Sequence, residues 1–175
     1  FYETFGDFGF TMRLRAVALR DFGPALSPTN AFMTITGIET LPLRMERHVA
    51  NAETVARWLE GHPAVDWVSY AGLPSSPSFS NKNKYFPRGC GSVFTFGLKG
   101  GYEAGTRLVE NCNLFSHLAN VGDTRSLILH PASTTHRQLT EEQQNAAGAS
   151  PDVVRISVGL ETTEDILDDL DQALV

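Results

Sequence analysis

One charged side chain stands inside a run that otherwise has no use for it. Residues 153–160 read Val-Val-Arg-Ile-Ser-Val-Gly-Leu, and a short run this rich in β-branched and aliphatic residues predicts a buried strand. Arg155 interrupts it. A guanidinium keeps its charge at any ordinary pH, so a strand that carries one inward needs an anionic partner to meet it. The chain is therefore expected to build a sheet and to bring something anionic to this strand. A structural ion pair with a neighbouring Asp or Glu is the plain alternative. The apolar flanks of Arg155 weigh against it, because a surface arginine would sit in an alternating pattern.

The remaining pattern predicts an α/β fold, a small mixed sheet covered by helices. Residues 11–21 carry spaced apolar positions and three arginines, and predict a helix ending near Gly23-Pro24. Ser27-Pro28 reads as an N-cap followed by proline in the first turn, opening a helical run broken around Gly37 or Pro42. Met45, Val49, Ala52, Ala56 and Leu59 lie on one face of a further helix, which Gly61-His62-Pro63 stops. Strands are expected at 65–70, 92–98, 114–119, 126–129 and 153–160. Helices are expected at 102–112, after the capping box Thr140–Gln143, and after Thr162. Residues 72–91, rich in Ser, Pro, Asn, Lys and Gly, read as a surface loop. The expected organisation is a linker of long helices over residues 1–40 and an α/β domain over 41–175.

Fourteen basic against twenty acidic side chains give a net charge of −6, which argues against a nucleic-acid or anionic-membrane surface. No apolar run reaches the roughly 18 residues of a membrane helix. Cys90 and Cys112 are too few for a disulfide framework or a structural zinc site, so a cytoplasmic protein with free thiols is expected. The chain opens on Phe1 with no signal pattern, and the reading expects it to start inside a longer protein.

Other candidate sites carry plainer readings. Asn120-Val-Gly-Asp-Thr is a turn after a strand, in which the Asn120 amide could donate to a carboxylate. His130 and His136 lack a third ligand at a metal spacing and read as hydrogen-bonded histidines around a turn. Gly97-x-x-Gly100-Gly101 lacks the Walker lysine of a phosphate loop and reads as a chain turn. Ser75, Ser76 and Ser78 lack a nucleophile elbow. Lys84 lies in a polar loop beside Lys82 and Arg88, where its amine stays solvated and charged, and Lys99 has as little support.

Several segments together resemble one family. They are Gly23-Pro-Ala-Leu-Ser-Pro28, Glu39-Thr-Leu-Pro-Leu-Arg-Met-Glu-Arg-His48, Gly72-Leu-Pro74, Gly91-Ser-Val-Phe-Thr-Phe-Gly-Leu-Lys-Gly-Gly101, His130-Pro-Ala-Ser-Thr-Thr-His136 and Arg155-Ile-Ser-Val-Gly-Leu-Glu161. In this order they resemble the C-terminal portion of the pyridoxal-phosphate enzymes of Cys/Met metabolism. Ala119-Asn120-Val-Gly-Asp123 and Thr134-Thr-His-Arg-Gln-Leu139 look most like the O-acetylhomoserine sulfhydrylases of that family.

The resemblance implies the C-terminal domain of a fold-type I transferase, with pyridoxal 5'-phosphate held by a lysine outside this chain. It implies Arg155 as the arginine for the substrate α-carboxylate, Asn120 at the position of the family's carboxylate-binding serine, and Thr135 as a pocket threonine. It also implies a homotetramer, a small amino-acid substrate and a missing cofactor domain as partner. The implied reaction replaces the acetate of O-acetylhomoserine with sulfide to give homocysteine, a step of methionine biosynthesis. A cystathionine γ-synthase or a methionine or cystathionine γ-lyase of the same family would share the arginine. A non-enzymatic binding or assembly domain is the reading from another class.

Overall fold

The computed structural model describes residues 1–174. They divide into two units, one of Phe1–Leu41 and one of the described residues from Pro42 onward. In the first, helical turns begin earlier than the sequence pattern predicts. They run through α1 (Tyr2–Phe5), a 3-10 turn at Gly6–Phe8, α2 (Gly9–Arg13), a π-helical stretch at Leu14–Leu19 and α3 (Arg20–Phe22). Gly23 ends the series in the left-handed conformation, with φ 65°, which glycine adopts without a Cβ clash. The helix α4 (Pro28–Glu39) starts as predicted: the Ser27 side chain accepts from the Asn30 N–H at 3.2 Å and Pro28 fills the first turn. Phe32, Met33, Ile35 and Ile38 of α4 are all well exposed. At 3.6 residues per turn the first three point in different directions. A helix apolar on several sides belongs in an interior.

The second unit is built around the sheet. The helix α5 (Leu41–Gly61) buries His48, Asn51, Ala52, Val55, Ala56 and Leu59, so its inner seam includes two polar residues that the apolar period passes over. The strands are β1 (Val65–Ser69), β2 (Val93–Leu98), β3 (Ser116–His117), β4 (Leu127–Leu129) and β5 (Val153–Ser157), in the order β1-β2-β5-β4-β3. Pairing is antiparallel except between β3 and β4, which gives the mixed sheet expected. All five strands are shorter than the sequence suggests, two of them by more than one residue: only residues 116 and 117 of the predicted 114–119 strand pair, and β5 stops at Ser157.

Strand alternation sorts the sheet into two faces. Phe94, Phe96, Leu98, Ile128, Val154 and Ile156 form the core with Leu59 of α5, Leu108 of α7 (Gly101–Asn111), and Ile166 and Leu170 of α9 (Thr163–Ala173). Fully burying a side chain such as Phe96 contributes about 1.5–3 kcal/mol. The opposite face carries Thr95, Arg155 and Leu129 in one row across β2, β5 and β4. Gly97, which falls both in the strand expected at 92–98 and in the glycine run read as a chain turn, lies inside β2 on this face. A Cβ there would run into the indole of Trp67, which donates to the Asp152 carboxylate at 2.9 Å.

The loop 72–91 is more structured than its composition suggests. It holds a 3-10 turn at Phe79–Asn81 and the short helix α6 (Lys82–Tyr85). Two carboxylates of α5 tie it down, Glu53 to Lys82 and Glu60 to Ser75. The capping box opens α8 (Glu141–Ala146) as predicted, with Thr140 and Gln143 bonded reciprocally. Among the described residues no helix is long and apolar enough to cross a membrane.

Asp169 of α9 holds the chain after α7. Its carboxylate accepts from the backbone N–H groups of Asn113 at 2.8 Å, Leu114 at 2.8 Å and Phe115 at 3.3 Å. Burial, and then the Asp169 charge, push the Cys112 thiol up to about 12. Asp169→Ala should cost about 2–4 kcal/mol by denaturant titration, since hydrogen bonds to a charged acceptor are lost and one donor is buried. Labelling of Cys112 by a thiol reagent at fixed pH should accelerate at the same time. Unchanged stability and labelling would mean that the loop holds itself.

Candidate active site: a half-buried arginine on the second sheet face

Arg155 stands in the middle of β5, the central strand, opposite Thr95 on one side and Leu129 on the other. Its neighbours Val154 and Ile156 enter the core, while its own side chain leaves by the other face and is half-buried. The run is thus buried on both faces, Val153 and Ser157 included, and the arginine belongs to the face turned away from the main core. Its Nη2 donates to the backbone carbonyl of Asn120 at 3.4 Å, a long and weak bond. The ion pairs of the described residues join Arg57 and Lys82 to Glu53, His62 to Asp171, and Arg125 to Asp123. None involves Arg155. A planar fork of N–H donors with one weak protein acceptor can take a carboxylate through two parallel bonds.

Asn120 is brought to Arg155 through its backbone. The side chain turns into its own loop, where Oδ1 accepts from the Val121 N–H at 2.8 Å and Nδ2 reaches Asp123 at 3.5 Å. Asp123 in turn accepts from the Arg125 backbone N–H, and that bond, then the one from the Arg125 side chain, hold its carboxyl below the usual range. Thr135 is exposed, and its hydroxyl shares a 2.8 Å hydrogen bond with His136 Nδ1. Among the described residues it has no bond to Arg155 or Asn120. The structure therefore joins two of the three sequence candidates.

The histidines follow the plainer expectation. His130 is buried, donates from Nε2 to the Pro151 carbonyl at 2.8 Å, meets Ser133 Oγ through Nδ1 at 2.9 Å, and lies edge-on to Tyr102. Among the described residues no group of three His, Cys, Asp or Glu side chains could hold a metal. The lysines offer no anchor for a carbonyl cofactor, which requires a desolvated, neutral amine. Lys82 pairs with Glu53, Lys84 lies exposed over the Tyr85 ring, and Lys99 donates to the Pro63 carbonyl at 2.8 Å.

Sequence reasoning missed the residues that hold the end of β5. Glu161 accepts from the Ser126 N–H at 2.6 Å and from Ser126 Oγ at 2.9 Å. Ser126 Oγ itself accepts from the Gly159 N–H at 2.8 Å. On the other side Asn51 Nδ2 donates to the carbonyls of Gly159 at 3.0 Å and Glu161 at 2.9 Å, and His48 Nδ1 donates to that of Val158 at 2.6 Å. The usable signal was a polar pair, His48 and Asn51, three residues apart beside the apolar seam of a helix.

The comparisons with known proteins agree with one another. The sequence model of the family described as Cys/Met metabolism PLP-dependent enzyme matches residues 8–175. O-acetyl-L-homoserine sulfhydrylase 1 of Thermus thermophilus is 53% identical over 98% of this chain and 41% of its own length. O-acetyl-L-homoserine sulfhydrylase of Leptospira meyeri is 48% identical over 99% of this chain and 41% of its own. Homocysteine synthase of Schizosaccharomyces pombe is 47% identical over 99% and 41%. A crystal structure assigned as an O-acetylhomoserine (thiol)-lyase from Campylobacter jejuni superposes with a TM-score of 0.86 at 41% identity, covering 94% of this chain and 39% of that one. It carries N'-pyridoxyl-lysine-5'-monophosphate at position 205. The chain spans about two fifths of the length of the curated relatives it matches. A family match over nearly the whole chain and a shared fold at this identity lead to one conclusion: the chain belongs to the Cys/Met metabolism PLP-dependent enzymes.

Proposed function

We propose that this chain is the substrate-carboxylate portion of a cytoplasmic sulfhydrylase that makes homocysteine from O-acetylhomoserine and sulfide. The observation that carries the reading is the half-buried Arg155 fork, which among the described residues has only the Asn120 carbonyl as a weak protein acceptor. The names of the relatives supply the substrate class. Pyridoxal phosphate, when bound to the full-length protein, supplies the electron sink. Its lysine belongs to the rest of the polypeptide, since none of the three lysines here suits it. Arg155 binds the α-carboxylate of the amino acid by two parallel N–H···O bonds and so fixes the α-carbon against rotation. The Asn120 carbonyl holds the guanidinium in place before substrate arrives. Thr135, whose hydroxyl shares a hydrogen bond with His136, is the threonine that the family resemblance assigns to the substrate's surroundings.

The same reading makes the rest of the polypeptide the cover for α4, whose exposed apolar residues are unsuited to water, and makes a homotetrameric transferase the assembled form. The full-length protein should therefore form homocysteine from O-acetylhomoserine and sulfide. Cystathionine formed with cysteine as the preferred second substrate would make it a γ-synthase. A keto acid released from methionine would make it a lyase. This chain alone, mixed with pyridoxal phosphate and dialysed, should retain no lysine-bound chromophore. A chromophore that survives dialysis and disappears in Lys84→Ala or Lys99→Ala would overturn the assignment of the anchor to the remainder.

A further inference from the structure

The bonds around Glu161 connect the two segments that meet at Arg155. β5 carries the arginine, and the 120–125 loop carries the carbonyl that it touches. Ahead of β4 that loop is fastened to the chain beyond β5 at two points. The Leu160 N–H donates to the Thr124 carbonyl at 2.9 Å, and Ser126 gives both its N–H and its hydroxyl to Glu161. Ser126 is fully buried, and its hydroxyl passes one hydrogen bond on, accepting from Gly159 while donating to Glu161. A fully satisfied buried relay of this kind permits one arrangement of its members.

The geometry points to Glu161 as a positioning residue for Arg155. Acting through Ser126, it sets where the 120–125 loop lies along β5, and hence how the guanidinium is presented to a carboxylate. The inference rests on the reading of Arg155 as the carboxylate clamp. Glu161 touches no substrate in this role. Replacing it by glutamine keeps the shape but puts either a weaker acceptor or an N–H₂ donor against the donors of Ser126, so the loop shifts and the fork loses its set position. Ser126→Ala removes the relay from the other end and leaves Glu161 in place.

The test uses the full-length enzyme loaded with pyridoxal phosphate, and four variants: Glu161→Gln, Ser126→Ala, Arg155→Ala and the double variant Glu161→Gln/Arg155→Ala. Steady-state kinetics are measured against O-acetylhomoserine and against sulfide. Glu161→Gln and Ser126→Ala should each raise KM for O-acetylhomoserine by about tenfold, within the range of couplings inside one hydrogen-bond network, with kcat and the sulfide KM within about threefold of wild type. In the Arg155→Ala background, Glu161→Gln should cause no further loss of kcat/KM, because the residue it positions is gone. A purely structural role gives the same loss in both backgrounds, and that additivity overturns the inference while leaving Arg155 in the site. An unchanged O-acetylhomoserine KM in folded Ser126→Ala also overturns it, even if Glu161→Gln does not fold. If Arg155→Ala itself leaves kcat/KM unchanged, the carboxylate reading fails and this inference fails with it.

Discussion

Arg155→Ala in the full-length enzyme should lower kcat/KM for O-acetylhomoserine by about thirty- to several-thousand-fold, which corresponds to roughly 2–5 kcal/mol. The loss arises because the α-carboxylate is taken out of water and meets no charged partner. Stability should change little. Among the described residues the one hydrogen bond of the Arg155 side chain is 3.4 Å long and ends on a backbone carbonyl, so its removal costs under about 1 kcal/mol. That combination separates a substrate clamp from a structural ion pair, which predicts a lower melting temperature with near-normal kinetics in the folded fraction. Arg155→Lys should recover only part of the activity, since an ammonium is a point charge that cannot present two parallel N–H groups. A folded Arg155→Ala variant within about threefold of wild type would remove Arg155 from the site.

The elements legible in the sequence are those whose pattern is local. Ser27-Pro28 and Thr140–Gln143 cap their helices as expected, because each cap is made within four residues. The core strands β2 and β5 announce themselves by β-branched and aromatic runs. The mixed, helix-covered sheet and the membership in the Cys/Met metabolism family were readable for the same reason, from contiguous motifs. What the sequence hides is decided at a distance. Only pairing shows that Arg155 leaves the core face, since that depends on the register with Thr95 and Leu129. Why position 97 of the expected strand is a glycine shows only when Trp67 is laid over it. That Asn120 meets the guanidinium through its main-chain carbonyl is likewise visible only in the fold. Glu161, Ser126 and Asn51 lie 35 to 110 residues apart in their pairings, and no spacing rule joins them.

Gly159→Val should be among the most damaging single changes in the second unit, costing about 2–6 kcal/mol. A Cβ at 159 falls inside contact with the Ser126 backbone nitrogen, the Arg125 carbonyl carbon and the Glu161 carboxylate. Two of these three are main chain and cannot rotate aside. Relieving the clash means moving the 125–126 segment or the end of β5. Overpacking of this kind costs about 1–3 kcal/mol. Either movement also breaks the bonds that Ser126 makes to Glu161 and Gly159, stranding buried polar groups at about 1–3 kcal/mol more. Against a domain stability of about 5–15 kcal/mol, the upper part of that range leaves little folded protein at growth temperature. Gly61 supplies the comparison. It ends α5, is exposed, and has nothing within contact of an added Cβ, so Gly61→Ala should be neutral or stabilising by up to about 1 kcal/mol. Denaturant midpoints of the two full-length variants measure the difference. A Gly159→Val midpoint equal to that of wild type would show that the 125–126 segment yields freely. The relay through Ser126 could not then fix the position of Arg155.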